Sequence, residues 1–358
     1  MAFIAFLAAT VTAFLVPPDR GYFSYFDLKT LSCLFATLGV ITALRNIRFF
    51  YWLSYRIVRL SKNMQIAALL LVTITFVGSM LIANDMALLT FLPLGLMVLT
   101  VTGNEKYMAR LFILQNIAAN LGGMLTPFGN PQNLYLYSRF KIPDGEFISI
   151  MAPSFLLSMV LFTACCFLFF KPEKLRLPTK TIEIPIKRTA LYLALFALAI
   201  VMVFRIIPYY IGLAVILAAL LVFDRKALAK VDYPLLLTFV FFFIFAGNMG
   251  RIQPVREFLS GLLAKNTLLY STLSCQFISN VPSAILLSNF TDNYRALLVG
   301  VNIGGTGTII ASLASLITFR EYTRNNPHKG GSYLAVFSAF NFTFLAILLA
   351  FNLLFGCR

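Results

Sequence analysis

Hydrophobic positions in this chain fall in long uninterrupted runs. They do not follow the alternating or one-faced patterns of soluble elements. Runs close to bilayer length occupy about 2–16, 28–44, 148–170, 188–206, 209–223, 233–247 and 333–355, each bounded by charges, Pro or Gly. About 20 apolar residues cross the hydrocarbon core as a helix, so the pattern predicts an all-α polytopic membrane protein. Two regions depart from single crossings. Residues 64–102 form one apolar stretch interrupted only at Asn84-Asp85, and 106–138 form a run broken at Gly122-Gly123 and again across Thr126-Pro127-Phe128-Gly129-Asn130-Pro131. The same pair returns later: 267–291 is interrupted at Ser279-Asn280-Val281-Pro282, and 292–320 is broken at Gly304-Gly305-Thr306-Gly307-Thr308.

The recurrence is an internal repeat. Asn120-Leu-Gly-Gly-Met-Leu-Thr126 overlays Asn302-Ile-Gly-Gly-Thr-Gly-Thr308 at an offset of 182, which also lays Asn133-Leu134 over Ser315-Leu316. Upstream, Phe26-Asp27 through Ser61-Lys62-Asn63 parallels Val231-Asp232 through Ala264-Lys265-Asn266. We expect a first repeat over 1–170, a charged loop and linker helix over 171–207, and a second repeat over 208–358. If 64–102 and 267–291 enter and leave on one side as re-entrant helical hairpins, and each broken helix crosses once, the linker helix starts the second repeat from the opposite face. The result is an inverted-topology repeat with about nine crossings, two hairpins and two broken helices.

Charge tests this arrangement. Of 29 Lys and Arg, nineteen fall in 45–62, 106–110, 171–188, 225–230 and 320–329, all on the side where the chain starts, leaving ten for the other. Cations accumulate on the cytoplasmic side. The expectation is a multi-pass protein of the bacterial cytoplasmic (inner) membrane, N-terminus cytoplasmic and C-terminus outside. Composition agrees: 60% hydrophobic and only 12% charged residues exclude an ordinary soluble enzyme. The net charge of +16 does not signal nucleic acid, because no basic stretch lies away from an apolar segment. The run at 2–16 lacks a basic leader region, is closed by Pro17-Pro18-Asp19, and reads as a first membrane helix. Cys33, Cys165, Cys166, Cys275 and Cys357 show no paired spacing and read as small apolar residues. His328 alone, in a polar loop, supports no metal site or general base. Residues 239–245 read as a lipid- or scaffold-facing crossing, and Arg48 to Arg59 as an interfacial amphipathic helix.

The interruptions carry the candidate chemistry. Asp85 is the sole acid between Asp27 and Glu105, and a carboxylate at bilayer depth costs about 2.5–3.5 kcal/mol on insertion scales. At a hairpin tip, the helix starting near Met86 offers its positive end while the one ending near Ala83 offers free carbonyls. The broken runs form the facing wall. Gly122, Gly123, Gly304 and Gly305 allow close approach, Pro127, Pro131 and Pro282 break helical bonding, and Thr126, Asn130, Asn133, Thr306, Thr308, Ser312 and Ser315 add hydroxyls and amides. Matched broken segments in two halves point to a transporter's binding site.

The stretches Asn84-Asp85-Met-Ala-Leu-Leu-Thr-Phe-Leu-Pro93, Thr126-Pro-Phe-Gly-Asn-Pro-Gln-Asn133, Ser279-Asn-Val-Pro-Ser-Ala-Ile-Leu286 and Ala311-Ser-Leu-Ala-Ser-Leu316 resemble the ion transporter superfamily. That group holds divalent-anion/sodium symporters, citrate carriers, arsenite permeases and sodium/proton antiporters, and the likeness is to its compact bacterial anion permeases. The resemblance implies an elevator mechanism, a homodimer, and a small anion, a carboxylate, moved with sodium or protons. It implies no cofactor beyond sodium. Dicarboxylate members carry Ser-Asn-Thr at each tip and hold sodium between the tip and the adjacent broken loop. Carried over, the tips are Asn84-Asp85 and Ser279-Asn280 with Ser283 following, and the loops are Gly129-Asn130 and Ala311-Ser312. Sodium would then lie at Asn84, Asp85, Gly129, Asn280 and Ala311. Two departures stand out: Ala83-Asn84-Asp85 replaces the first triplet, and Val281-Pro282 removes the second Thr. Asp85 is accordingly the candidate cation ligand or proton carrier. Sodium/proton antiport or arsenite export is the alternative. A channel and an intramembrane enzyme are the other classes, the latter without its usual Gly-x-Ser-Gly, Gly-x-Gly-Asp or His-Glu-x-x-His motifs.

Overall fold

The computed structural model describes residues 2–175 and 182–356. Met1, the stretch 176–181 with Arg176 and Lys180 of the charged loop, and Cys357-Arg358 lie outside the described residues. Among those described the chain is helical, with an isolated bridge between Asn63 and Lys174 and no strand.

The first half contains α1 (Ala2–Leu15), α2 (Leu28–Asn46), the short amphipathic α3 (Phe49–Val58), the close pair α4 (Met64–Leu81) and α5 (Asn84–Val101), α6 (Met108–Gly122), α7 (Pro131–Arg139) and α8 (Asp144–Phe169). After the charged loop come α9 (Ile186–Val203), α10 (Tyr209–Phe223), the single turn α11 (Arg225–Ala229), α12 (Tyr233–Arg251), α13 (Gln253–Ile278, kinked at Asn266), α14 (Asn280–Leu287), α15 (Tyr294–Ile303), α16 (Leu313–Asn325) and α17 (Gly330–Phe355). Seven of the described helices, α2, α4, α5, α8, α9, α12 and α17, are long and apolar enough to cross a bilayer. The runs at 2–16 and 209–223 give shorter helices of 14 and 15 residues. At 1.5 Å per residue, the eight residues of α14 extend about 12 Å and cannot cross.

Asn and Asp side chains start the helices at the bundle ends, where apolar sequence meets polar surroundings. Asp27 accepts from the Thr30 amide, Asn63 from Ile66, Asp232 from Leu235 and Asn293 from Ala296. Each satisfies a donor that the first helical turn leaves open. Asn266 does the same for Leu269, so the chain restarts a helix after the kink in α13.

Two packing groups follow. α1 packs along α12, and α10 lies against α2 and α9; α4, α5 and α6 form one cluster and α13, α14 and α15 another. The clusters interlock, with α16 on α5 and α6, and α7 on α14 and α15. Phe239, Phe242 and Phe243 of α12 are buried against protein, so the aromatic run faces inward at these positions.

The loops gather at two ends. Lys106 pairs with Glu173 at 2.7 Å, Gln65 donates to the carbonyls of Phe167 and Phe170, and Asn326 approaches the Met108 sulfur. At the other end of α8, about 39 Å away for 26 residues, Glu146 pairs with Arg295. There, too, Arg205 donates to the carbonyls of Tyr137 and Ile142. Arg251 pairs with Asp19 at 2.7 Å. α3 buries Phe50, Tyr55 and Val58 while Arg56 lies over the Trp52 ring, 4.8 Å from its centroid. Cys33, Cys166 and Cys275 are buried, Cys165 is half-buried, and the described cysteines form no disulfide. His328 is exposed.

Candidate functional site

Both tips, the end of the first helix break and the residues just beyond the second, Ser312 and Leu313, meet at one cavity of about 210 Å³. Its wall includes Asn84, Asp85, Gln132, Ser279, Asn280 and Ser312, together with Asp232, Thr238 and Phe242 from α12. Four helices begin here. Asn84 opens α5, Pro131 opens α7, Asn280 opens α14 and Leu313 opens α16, and all four residues line the cavity. A helix N-terminus carries about half a positive charge and unpaired amide donors. Four converging ends give the cavity wall positive potential and open amide donors.

A buried amide network holds these ends in register. Asn120 of α6 accepts at Oδ1 from Asn84 Nδ2 at 2.9 Å and from Ser312 Oγ at 2.8 Å. Asn302 of α15 accepts from Asn130 and from Gln132, each at 3.2 Å, and donates to Asn133 Oδ1 at 2.6 Å. Each broken helix thus bonds the loop of the other half. A second pair of bonds is also matched. Thr126 donates to the Met80 carbonyl at 2.5 Å and Thr308 to the Gln276 carbonyl at 2.9 Å, in each case four residues before the tip Asn. Hydroxyls therefore pin each loop to the helix that leads into its tip.

The sequence-chosen residues divide into two sets. Asn84, Asp85, Ser279, Asn280 and Ser312 reach the cavity, as do Pro131 and Pro282. Asn130 is buried beside it. The rest support the wall. Asn133 donates to the carbonyls of Gly123, Met124 and Thr126, Thr306 to Ile303, and Ser315 accepts from Asn116. Ser283 bonds Ser274 at 2.9 Å on the far side of α14. Gly129 packs on Gly123, and Gly305 lies where a Cβ would stand 3.1 Å from Asn280 Nδ2. Gly304 faces the Cys275 side chain, and Gly122 sits against the Phe76 backbone, where no side chain fits. Pro127 falls in the turn between α6 and α7. The Ala311 carbonyl accepts from the Asn280 amide at 2.9 Å and the Ser279 hydroxyl at 3.2 Å. Ser279 itself has φ 73° and ψ 160°, a backbone state that costs a non-glycine residue energy of order 1 kcal/mol or more.

At or beside the cavity three buried oxygens, Asp85 Oδ1, Asn130 Oδ1 and Gln132 Oε1, accept no hydrogen bond, and behind it Asn120 Nδ2 donates none. Open oxygens suit a hard cation or a proton, whereas the open Asn120 amide suits an acceptor. Of the side chains expected to hold sodium, Asp85 has such an oxygen. The oxygens of Ala311 and Asn280 are already engaged, the latter by the Val281 amide and Ser279. Sequence reasoning passed over Asp232, Gln132, Asn116, Asn120, Asn302 and Gln276 as site residues. Their signal was available, since amides spaced four apart on an apolar helix, as Asn116 and Asn120 are, have no lipid-facing use. Asp232 enters from sequence only as a position of the repeat; the structure shows it capping α12 and lining the cavity.

The pattern of the citrate transporter family matches residues 1–294. The uncharacterized transporter MJ0456 of Methanocaldococcus jannaschii is 34% identical over 335 residues, 93% of this chain and 91% of that protein. The inner membrane protein YbiR of Escherichia coli is 32% identical over 270 residues, 73% and 69% of the two chains. A shorter stretch of 121 residues is 32% identical to the low-affinity phosphate transporter PHO90 of Saccharomyces cerevisiae, covering 32% of this chain and 14% of that one. With apolar helices enclosing a cavity built from broken segments, and with this match over most of its length, the chain belongs to the citrate transporter family, membrane transporters and not enzymes.

Proposed function

We propose that the protein is a secondary active transporter of a small anion, a carboxylate or a similar oxyanion, coupled to sodium or protons through Asp85. The convergence of four helix N-termini on one cavity carries this reading, because it supplies positive potential and amide donors without a fixed cation. Asp85 would repel such an anion unless a cation or proton entered with it, which ties the two fluxes together. The names of the relatives agree in direction: one family description is of citrate transport and one relative carries phosphate.

The matched bonds of Thr126 and Thr308, and the crossed bonds of Asn120 and Asn302, support two inverted repeats over 1–170 and 208–358. In that arrangement α4 to α7 and α13 to α16 form the moving unit of an elevator, while α1, α2, α10 and α12 form the scaffold of a homodimer. The cavity lies toward the end holding Ala2 and Asp232, which is the cytoplasmic end if the N-terminus is cytoplasmic, an orientation the cation count supports. The pair Asp85 and Asp232 on one cavity favours a second reading, sodium/proton antiport.

Proteoliposomes separate the readings. Sodium- or proton-driven uptake of labelled citrate, succinate or phosphate supports the anion carrier. A sodium-triggered pH change inside the vesicles, with no anion present, supports antiport. Equal rates with and without any ion gradient would overturn both.

A further inference from the structure

A second cavity, of about 900 Å³, lies at the end of the bundle opposite Ala2. Six cations line it: Lys29, Arg139, Lys141, Arg205, Arg251 and Arg256. They come from five separate segments of the chain, so only the fold assembles them. The charge count leaves this end ten of the 29 Lys and Arg, nine of them among the described residues, and six of those nine line this one space. An end that orientation rules leave poor in cations has gathered them into one basin.

The basin is not neutralised. Arg251 is paired with Asp19, but Lys29, Lys141 and Arg256 make no ion pair among the described residues. The acid on the wall, Asp27, is committed to capping α2 through the Thr30 amide at 2.9 Å and hydroxyl at 2.6 Å. Arg205 is held in place by the Tyr137 and Ile142 carbonyls and lies over the Tyr137 ring, 4.0 Å from its centroid.

The two cavities share three helices. α7 gives Gln132 to the first and Ser138 to the second, α12 gives Thr238 and then Gly250, and α14 gives Asn280 and then Ile285. Between them Tyr135 bonds Ser288 at 2.9 Å and packs on Phe243 with ring centroids 5.6 Å apart.

We propose that this basin is a second anion-binding site, taking a soluble multivalent oxyanion such as a polycarboxylate or phosphate on the face opposite the first cavity. It concentrates anions by the summed field of its cations and holds them by charge-assisted hydrogen bonds. The assignment goes beyond the transport reading and needs no transport to be tested.

The test labels a Ser138→Cys variant in nanodiscs with negatively and positively charged thiol reagents, with the parent chain as the blank. Asn289→Cys on the same wall serves as the second reporter should Ser138→Cys fail to fold. The anionic reagent should react about tenfold faster than the cationic one. Millimolar citrate or phosphate should slow it, whereas chloride at matched ionic strength should not. Lys29→Gln, Lys141→Asn and Arg256→Gln together should bring the two rates within about twofold and remove the protection; Asn suits the left-handed backbone of Lys141, φ 51°. Equal rates in the parent background would overturn the site. So would slowing by matched chloride alone, or protection by phosphatidylglycerol in the nanodisc but not by citrate or phosphate.

Discussion

Asp85 concentrates the chemistry of the first cavity at a single atom. Its Oδ1 is buried and unpartnered, and the other polar side chains of the wall are amides, hydroxyls and the Asp232 carboxyl, with no cation. Asp85→Asn keeps the shape and removes the charge. Ion-driven uptake should fall at least about tenfold, while the melting temperature in detergent holds or rises because a buried unpaired carboxylate is gone. Retained coupling in that variant would sink the role. Asn120 is the structural counterpart. Replacing it with Ala strands Asn84 Nδ2 and the Ser312 hydroxyl, at about 1–3 kcal/mol. A thermal-shift assay should show a clear drop, and an unchanged midpoint would mean that water or another acceptor takes its place.

Among the elements, the broken helices depend on the absence of side chains at a few positions. Gly122 lets α6 meet the backbone of α4 at Phe76, so Gly122→Val must push the two helices apart. Overpacking of this kind costs about 1–3 kcal/mol and should lower the melting temperature, with uptake reduced beyond what folded protein accounts for. The matched staples make a second prediction. Thr126→Val and Thr308→Val should each lose about 0.5–1.5 kcal/mol, and to similar extents if the halves are equivalent. A large loss for one and none for the other in thermal-shift midpoints would argue against equivalence. The apolar runs, the two tips and both helix breaks were legible in the residues, because Gly, Pro and lone polar residues are conspicuous in apolar sequence. The eight-residue length of α14 was less so, since the stretch 267–291, as read from the sequence, runs on past Ser288-Asn289.

For the whole molecule, ion pairs tie the loops at each end. Arg251 hydrogen-bonds Asp19 and holds its carboxyl below the usual range, and Lys106, aided by Tyr107, does the same for Glu173. A carboxyl held low contributes stability that is present above its ordinary value and lost as pH falls through the depressed one. The contribution of these two pairs to the melting temperature should therefore stay flat from about pH 8 to 5 and decline only below about pH 4. Glu173→Gln should reduce that acid slope while changing the neutral midpoint little, because exposed pairs are weak. A midpoint that already falls between pH 7 and 5 would locate the sensitivity elsewhere.

Membrane residence, the recurrence of paired interruptions and the choice of Asn84-Asp85 and Ser279-Asn280 as candidate site residues came from the residues alone. The bilayer penalises polar groups so strongly that those retained within apolar runs reveal themselves. Tertiary structure alone decided which of them face the cavity and which brace its wall. It also brought Asp232 to Asp85 and assembled six distant cations into one basin. Those outcomes depend on how helices from the two halves interlock, and the spacing of residues along one chain does not encode which side of a helix its partners from the other half will cover.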